Sequence, residues 1–315
     1  MNGQLISITN HIKKVLIWSI LIQLPIFCFS QGEFNQWRFG NHAGLNFNFS
    51  PPVSVSGSAL NNFVSVNQSD SLGNLLFYSD GSTIWNRNNA VMQNGSGLYC
   101  NTYSLSVLII PDPGISSQYF LFTVGPWDIF PAWQGLFYSK IDMTLAGGLG
   151  GVIPGMKNIP VPGGGNVSNG IIGTCHRNNH DTWLIVRPVS PQIYQSYLIT
   201  PSGLNTTPVS SNSIENYTYP LTSGPGVFPK ISQDGTKLIT GYAWDSVSEF
   251  CHFDNLTGTV SPQFKVQARL RGVNYGTGSG AFSKNAKYVY MFVSIPFIHP
   301  IGYPGPQVVI HRAKC

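Results

Sequence analysis

The stretch ISQDGTKLITGY, from Ile231 to Tyr242, contains the sequence pattern from which the fold of this chain can be predicted. Strand-like residues flank the pair Asp234-Gly235. Asp before Gly tolerates a left-handed backbone and caps a hairpin turn with its own side chain. A calcium loop would need several oxygen ligands at short spacing, whereas this stretch offers a single carboxylate. The pattern predicts a β-hairpin in which Asp234 turns the chain.

The hairpin pattern recurs four more times. Clear copies are AFSKNAKYVYMFV (281–293), with Asn285 in the turn, and TCHRNNHDTWLIV (174–186); weaker copies are PDPGISSQYFLFTV (111–124) and NQSDSLGNLLFYSD (67–80). The units are spaced by roughly 50 residues on average, the period of propeller repeats such as the WD type. A third strand follows each hairpin and a fourth closes most units, and four antiparallel strands make one propeller blade. The sequence predicts an all-β chain, a β-propeller of about five recognisable four-stranded blades.

Composition is consistent with many short strands. The chain has 315 residues, of which 42% are hydrophobic and 9% charged, with 34 Gly and 22 Pro. The hydrophobic share is enough for a core, which excludes a disordered chain, and the turn-forming residues favour strands over long helices.

The first residues predict export. Lys13-Lys14 precede the apolar run Val15–Phe29, and the small Ser30 suits cleavage, so we expect a signal peptide at 1–30 and a single β-propeller domain at 31–315. An uncleaved anchor is the alternative. The apolar run is about 15 residues, short of the roughly 20 that span a bilayer, so we expect no transmembrane segment after cleavage. The expected location is periplasmic, outer-surface or extracellular.

Charge and cysteine content narrow the partners further. Losing Lys13 and Lys14 with the signal peptide reduces 17 basic residues to 15, against 12 acidic ones, and the cations are scattered, so we expect no nucleic-acid partner.

The four cysteines of the mature chain could form bridges in an oxidising compartment, but their irregular spacing favours single buried thiols. They are Cys100, Cys175, Cys251 and Cys315.

The first half of the mature chain also resembles a known family. QWRFGNHAGLNFNFSPP (36–52), NLLFYSDGSTIWNRNNAVMQNGSGL (74–98) and YSKIDMTLAGGLGGV (138–152) are similar to the N-terminal β-propeller region of secreted Bacteroidota proteins. Those proteins often carry PKD-type domains and a C-terminal sorting domain of the type IX secretion system, which are not found in this sequence. The resemblance implies that Trp37–Leu45 precedes the first full blade, and that a ring can have seven blades.

Five units therefore predict either a smaller ring or an incomplete seven-bladed one. The last unit ends after its third strand in this sequence. We expect the N-terminal segment Phe34–Phe49 to supply the missing outer strand, because closure would remove an exposed sheet edge.

Catalytic motifs are not convincing in this sequence. The inner strands contain no Asp or Glu, and the three glutamates, Glu33, Glu215 and Glu249, lie outside them. A propeller glycosidase would need paired carboxylates around the central channel. We therefore predict no enzymatic activity and no cofactor. The alternative is a hydrolase or lyase acting on polysaccharide through loop residues, for which we list Asp128, Asp245, Arg271 and His299.

The cluster CHRNNH (175–180) is the strongest metal candidate. Cys175, His176 and His180 are zinc-type ligands. Successive strand residues point to opposite faces, so Cys175 and His176 cannot aim at one ion without a bulge. We predict no metal site.

Strand parity predicts an aromatic face. In a four-stranded blade, the connections between strands two and three and between blades share one end, and here these connections are long and aromatic. Exposed aromatic rings mark binding surfaces, although they also pack loop against loop. The predicted function is a non-enzymatic binding or adhesion module for a glycan or protein. Its expected contact residues are Trp127, Phe130, Trp133, Tyr217, Tyr219, Trp244, Arg269, Arg271, Tyr275, Phe297 and Tyr303.

Overall fold

The computed structural model describes residues 32–60, 65–100, 106–125, 135–165, 167–189, 191–214, 227–242, 247–267, 269–270, 273–274, 276–294 and 308–314. These residues form β-strands joined by turns, with two short 3-10 helices at Gly32–Phe34 and Ala146–Gly148. Within these ranges no helix has the length and apolarity needed to cross a membrane. The predicted signal peptide, 1–30, lies outside the described residues and stays a prediction.

A small antiparallel sheet opens the described chain. Its strands, in the order β1-β2-β3, are β1 (Gln36–Arg38), β2 (Ala43–Asn46) and β3 (Val53–Ser56). The side chain of Asn67, on the first blade, binds the outer edge of β1: its Oδ1 accepts from the Arg38 N–H at 3.1 Å and its Nδ2 donates to the Gln36 carbonyl. An amide side chain thus takes the place of a neighbouring strand.

The first two blades follow. Blade one contains β4 (Val66–Ser69), β5 (Leu75–Ser79), β6 (Thr83–Asn86) and β7 (Val91–Ser96). Blade two contains β8 (Val107–Pro111), β9 (Gln118–Val124) and β10 (Leu136–Asp142), with an outer strand split into β11 (Gly151–Val152) and β12 (Ile159–Pro160). Both blades are antiparallel meanders, and a single parallel pairing of β7 with β11 links their outer strands.

Blades three and four repeat this plan. Blade three contains β13 (Ile172–Cys175), β14 (Thr182–Val186) and β15 (Ile193–Thr200), with an outer strand split into β16 (Gly203–Leu204) and β17 (Val209–Asn212). Blade four contains β18 (Val227–Ile231), β19 (Lys237–Tyr242), β20 (Val247–Asp254) and β21 (Thr259–Gln267).

The last described sheet has three strands. After the short hairpin of β22 (Arg269–Leu270) and β23 (Val273–Asn274), blade five contains β24 (Gly276–Phe282), β25 (Tyr288–Ser294) and β26 (Val308–Lys314). The predicted closure by Phe34–Phe49 is wrong for the described strands: β2 pairs with both β1 and β3, and this sheet is separate from blade five. The turn at residues 40–42 brings β1 next to β2, and β3, which follows in sequence, pairs with the other edge of β2.

The inner strands pack in succession, which defines the propeller. Strand β4 contacts β8, β8 contacts β13, β13 contacts β18 and β18 contacts β24. Hydrophobic clusters fill the spaces between neighbouring blades: Phe122 of blade two packs with Leu184 of blade three, and Trp183 on the other face of blade three packs with Phe253 of blade four. Burying each such side chain contributes about 1.5–3 kcal/mol. The predicted fold class, an all-β propeller with five recognisable blades, is confirmed.

The hairpin turns of blades four and five share a hydrogen bond from the backbone to the turn side chain. Asp234 Oδ1 accepts from the Thr236 N–H at 3.1 Å and from its hydroxyl at 2.9 Å, and Gly235 takes a positive φ of 68°. In blade five, Asn285 Oδ1 likewise accepts from the Lys287 N–H, and Ala286 takes the positive φ. The predicted turn role of Asp234 is confirmed.

Replacing the turn acceptor tests this role. We expect Asp234→Ala to lower the free energy of unfolding by about 1–2 kcal/mol, because three donors lose their acceptor. Asp234→Asn should change it by less than about 0.5 kcal/mol, because Asn285 performs the same task in blade five. Urea denaturation of the three proteins measures the difference, and equal losses in both variants would contradict the account.

Hydrogen-bonded turn carboxylates such as Asp234 predict that the stability of the fold decreases at acid pH. Burial would raise the pKa of Asp234, but hydrogen bonds from Ser232 and Thr236 outweigh it and lower the pKa. The backbone N–H of Leu256 is the main cause of the lowered pKa of Asp254. A lowered folded-state pKa stabilises the fold above the ordinary aspartate value near 4, and this contribution is lost as pH falls through the folded-state pKa.

We therefore expect the free energy of unfolding to fall between about pH 6 and pH 3, and to fall less in the double variant Asp234→Asn, Asp254→Asn. Urea denaturation at both pH values measures the two decreases. An identical decrease in wild type and variant would show that these carboxylates do not contribute.

Candidate functional site

The predicted ligand-binding residues fall almost entirely outside the described part of the chain. This holds for Trp127, Phe130, Trp133, Tyr217, Tyr219, Trp244, Arg271, Tyr275, Phe297 and Tyr303. It also holds for Asp128, Asp245, Arg271 and His299 of the hydrolase alternative. Arg269 lies in the described strand β22. The aromatic face therefore stays a prediction, and the structure bears on it through the strand ends that flank these segments.

In blade two, the strand ends around segment 126–134 lie side by side. Val124, at the end of β9, pairs with Leu136, at the start of β10. The Gly125 N–H donates to the Gly135 carbonyl at 2.9 Å, which extends the ladder by one step. Trp127, Phe130 and Trp133 therefore belong to a segment that leaves and rejoins the blade at one end.

In blade four, two predicted aromatic segments flank the same row of residues. Val227 pairs with Tyr242, which pairs in turn with Val247. Segments 215–226 and 243–246 thus meet the blade at adjacent positions. The Asp234 turn lies at the other end of β18 and β19, away from the strand ends at Val227 and Tyr242.

A buried polar cluster lies at this end, between blades three and four. Glu249, on β20, is 0% exposed. Its Oε2 accepts from the hydroxyls of Tyr194 at 2.9 Å, Tyr242 at 3.0 Å and Ser213 at 2.8 Å. Its Oε1 accepts from the Ile214 N–H at 2.7 Å. Both oxygens are therefore engaged by donors that come from two blades.

Arg187 supplies the positive charge of this cluster. It follows strand β14, is 4% exposed, and its Nη2 donates to the Ser213 hydroxyl at 2.7 Å. Its guanidinium carbon lies 4.8 Å from the ring centroid of Tyr242 and 5.6 Å from that of Tyr194, within cation–π range. A buried carboxylate is costly unless it is hydrogen-bonded, and Glu249 has four donors. Arg187 is linked to it through the Ser213 hydroxyl, which accepts from Arg187 and donates to Glu249. We call Arg187, Tyr194, Ser213, Tyr242 and Glu249 the Glu249 cluster.

Burial keeps the two tyrosines of the cluster and the neighbouring Cys251 protonated. Burial raises the pKa of Tyr194 and of Tyr242 well above the ordinary tyrosine value, so both hydroxyls remain protonated donors. Burial also raises the pKa of Cys251, whose Sγ lies 3.8 Å from the Tyr194 hydroxyl. Cys251 is therefore a neutral thiol and not an activated nucleophile.

The Glu249 cluster fixes the strand ends from which two aromatic segments depart. The chain enters segment 215–226 directly after Ile214, whose N–H binds Glu249, and enters segment 243–246 directly after Tyr242. The cluster is a positioning device, because its carboxylate is closed to solvent. Sequence analysis missed this role and counted Glu249 only as an acid outside the inner strands. The available signal was an acid in the middle of VSEFCHFD, a strand that is otherwise rich in apolar and aromatic residues before its final Asp254.

The candidate zinc residues engage other partners. His176 Nε2 lies 3.0 Å from the Leu256 carbonyl, and His180 Nδ1 lies 3.0 Å from Asp181 Oδ1. Across the ranges that the structure covers, no three His, Cys, Asp or Glu side chains are grouped to hold a metal ion.

The cysteine prediction is correct in part. Cys100 and Cys251 are buried, as expected, and burial raises the pKa of Cys100 to about 12. Cys315 lies outside the described residues. Cys175 is free but exposed, so the prediction of burial is wrong there. It is the last residue of β13, next to the hairpin turn, where side chains reach solvent.

An exposed aromatic patch on the first sheet was not predicted. Trp37, Phe39 and Phe47 are 46%, 41% and 37% exposed, and the rings of Trp37 and Phe47 lie 4.7 Å apart. Strand alternation explains the patch: Gln36 and Arg38 face inwards, which turns Trp37 outwards. We call these three residues the N-terminal aromatic patch.

No protein-family model matches the chain, and no curated protein matches it. Solved structures with a similar shape include a functionally unknown protein from Desulfotomaculum acetoxidans, at 15% identity and a TM-score of 0.45, covering 87% of this chain and 81% of that one. A candidate 6-phosphogluconolactonase from Bacteroides uniformis matches at 11% identity and a TM-score of 0.44, with 89% and 82% covered. The β-propeller domain of Myceliophteria thermophila Cps50 (Swd1) matches at 12% identity and a TM-score of 0.33, with 82% and 78% covered.

At these identities and scores, the likenesses carry no argument about function. The resemblance to secreted Bacteroidota proteins stays a prediction. The fold assignment rests on the strand pairings and on the order in which the inner strands pack.

Removing the central carboxylate tests the Glu249 cluster. We expect Glu249→Ala to lower the free energy of unfolding by about 3–5 kcal/mol, because four donors lose their acceptor and the buried Arg187 loses the carboxylate linked to it through Ser213. Glu249→Gln keeps one carbonyl acceptor and should lose less. Urea denaturation measures both losses, and limited proteolysis should cut segments 215–226 and 243–246 faster in the Ala variant. Wild-type stability of Glu249→Ala would rule out the anchoring role.

Proposed function

We propose that this protein is an exported, non-enzymatic β-propeller that acts as a cell-envelope or extracellular binding module. In this proposal, its ligand is a glycan or a protein, and the contacts are made by the aromatic segments 126–134, 215–226, 243–246, 268–275 and 295–307. The observation that carries the proposal is the strand register, which brings the ends of three of these segments to matching positions beside Leu136, Tyr242 and Val247.

The Glu249 cluster supports a binding surface more than a catalytic one. It holds the departure points of two segments through five hydrogen bonds, of which the two from Tyr194 and Tyr242 to Glu249 are fully buried. Fixed attachment points reduce the conformational entropy that a segment loses when it binds, which favours affinity. Glu249 has both oxygens engaged and no exposed surface, so it is not available as a general acid or base.

The proposed export and surface location rest on the apolar run at 15–29 and on the resemblance of the first half of the chain. An exported binding module also suits the low content of charged residues, 9%, with Asn, Ser, Thr and Gly covering the surface. Flat aromatic rings bury a large area with little loss of side-chain entropy when they stack on a sugar or a peptide.

A glycan and peptide array with the mature protein tests this function. We expect binding by the wild type and a loss of about a hundredfold or more in the variant Trp127→Ala, Trp133→Ala, Trp244→Ala, because each buried ring contributes on the order of 1–2 kcal/mol. The matched control is Trp37→Ala, Phe47→Ala, which removes two of the three rings of the N-terminal aromatic patch and should retain binding.

Equal signals from wild type and the triple variant would remove the aromatic segments from consideration. Each glycan that binds is also incubated with the protein and assayed for new reducing ends. Turnover would favour the hydrolase or lyase alternative instead.

A further inference from the structure

A groove between blades two and three is the strongest feature that the proposed function leaves unused. Its volume is about 480 Å³. Pockets that take small molecules typically measure about 300–1,000 Å³ and combine apolar walls with a few placed polar groups. The groove is built from β9, β10, β12 and β16, and its described lining residues do not belong to the predicted aromatic segments.

The walls of the groove are mainly apolar. Phe120 and Tyr138 form its aromatic floor, with ring centroids 5.6 Å apart and an edge-to-face angle of 61°. Pro160 of β12 lines one side and Leu204 of β16 the other. Tyr138 is only half-buried, so part of its ring is available to a ligand.

Lys140 contributes a charged group to the lining of the groove. Its Nζ lies 2.7 Å from Asp112 Oδ2 and 5.0 Å from the centroid of the Phe120 ring. Asp112 is held in place because its Oδ1 accepts from the Gly114 N–H at 2.7 Å. An ammonium group has three donors, and the carboxylate takes one of them. Lys140 therefore offers a fixed donor whose charge Asp112 already compensates.

This pairing selects against charged ligands. An anion near Lys140 would also lie close to the Asp112 carboxylate, and a second cation would be repelled by Lys140. An uncharged acceptor oxygen meets neither penalty. The compensated pair thus favours a hydroxyl or carbonyl oxygen.

The rims of the groove disfavour an extended peptide. Strand addition needs free backbone N–H groups along an edge. Pro160 lies in β12 and Pro162 follows it, and proline has no N–H to offer. Recognition in this groove therefore relies on side chains, which suits a small ring-shaped ligand.

We propose that this groove binds an uncharged small molecule in which a flat ring carries hydroxyl or carbonyl oxygens. The ring lies on Tyr138 between Pro160 and Leu204, and an oxygen accepts from Lys140. This site is separate from the aromatic segments, and the proposal does not depend on what those segments bind.

Saturation-transfer NMR with para-nitrophenyl glucoside tests the site, because this probe joins a flat ring to uncharged hydroxyls. We expect saturation transfer to the wild type, and binding of the anion para-nitrobenzoate weaker by about tenfold or more. The variant Thr206→Trp fills the groove from its exposed rim without removing a core contact and should abolish the signal. The matched control Thr207→Trp, one residue along the same exposed turn, should retain it.

Two further variants locate the contacts. Tyr138→Phe keeps the ring and should weaken binding by less than about tenfold, whereas Tyr138→Ala should abolish it. The variant Trp127→Ala, Trp133→Ala, Trp244→Ala should bind the probe like the wild type, which separates this site from the proposed function. Circular dichroism confirms that each variant is folded. Absence of probe binding to the wild type, equal binding of the two probes, or binding that survives Thr206→Trp would overturn the proposal.

Discussion

The contact between neighbouring sheets is the constraint on which the rest of this structure depends. A blade in a ring has two covered faces, so both sets of alternating side chains must be apolar. Strand β14 shows this: Leu184 and Val186 join the core shared with blade two, whereas Trp183 and Ile185 join the core shared with blade four. Neither set can become polar without opening a space between blades. Function is therefore confined to the blade ends, the outer strands and the few polar groups that the core accommodates.

The Glu249 cluster is the largest exception that this core accepts. Replacing buried ions by apolar residues of similar volume is often neutral or stabilising, so such a cluster is weak evidence for stability alone. Its value here lies in position. The carboxylate joins Tyr194 of β15, Tyr242 of β19 and the backbone after Ser213, which are three chain positions at one end of two blades. Hydrogen bonds fix direction, which apolar contacts do not, so the cluster can set where two segments leave the sheet.

Local interactions were predictable from the sequence and non-local ones were not. The hairpin turns depend on residues within five positions of each other, so Asp234 and Asn285 identified two blades directly, and their spacing identified the others. The pairing of β1 and β2 with β3, rather than with the last blade, depends on competition between distant segments. The burial of Glu249 depends on Tyr194, which lies 55 residues away. The exposure of Cys175 depends on where its strand ends. Tyr138 and Lys140 read as ordinary strand residues, and the groove they line exists only once two blades pack.

The groove follows from how blades two and three end their sheets. Both replace a continuous outer strand by two short pieces, β11 and β12 in one and β16 and β17 in the other, whereas the outer strand β21 of blade four runs unbroken over Thr259–Gln267. In blade two the chain between the two pieces still binds the Lys140 backbone, which donates to the Met156 carbonyl and accepts from the Ile153 N–H. The side chains of Tyr138, which is half-buried, and Lys140 line the groove. The charge of Lys140 is paired with Asp112, whose carboxylate is held by the turn of its own hairpin. The Asp112 carboxylate thus stabilises the turn of its hairpin through one oxygen and, in our proposal, positions Lys140 for the ligand through the other.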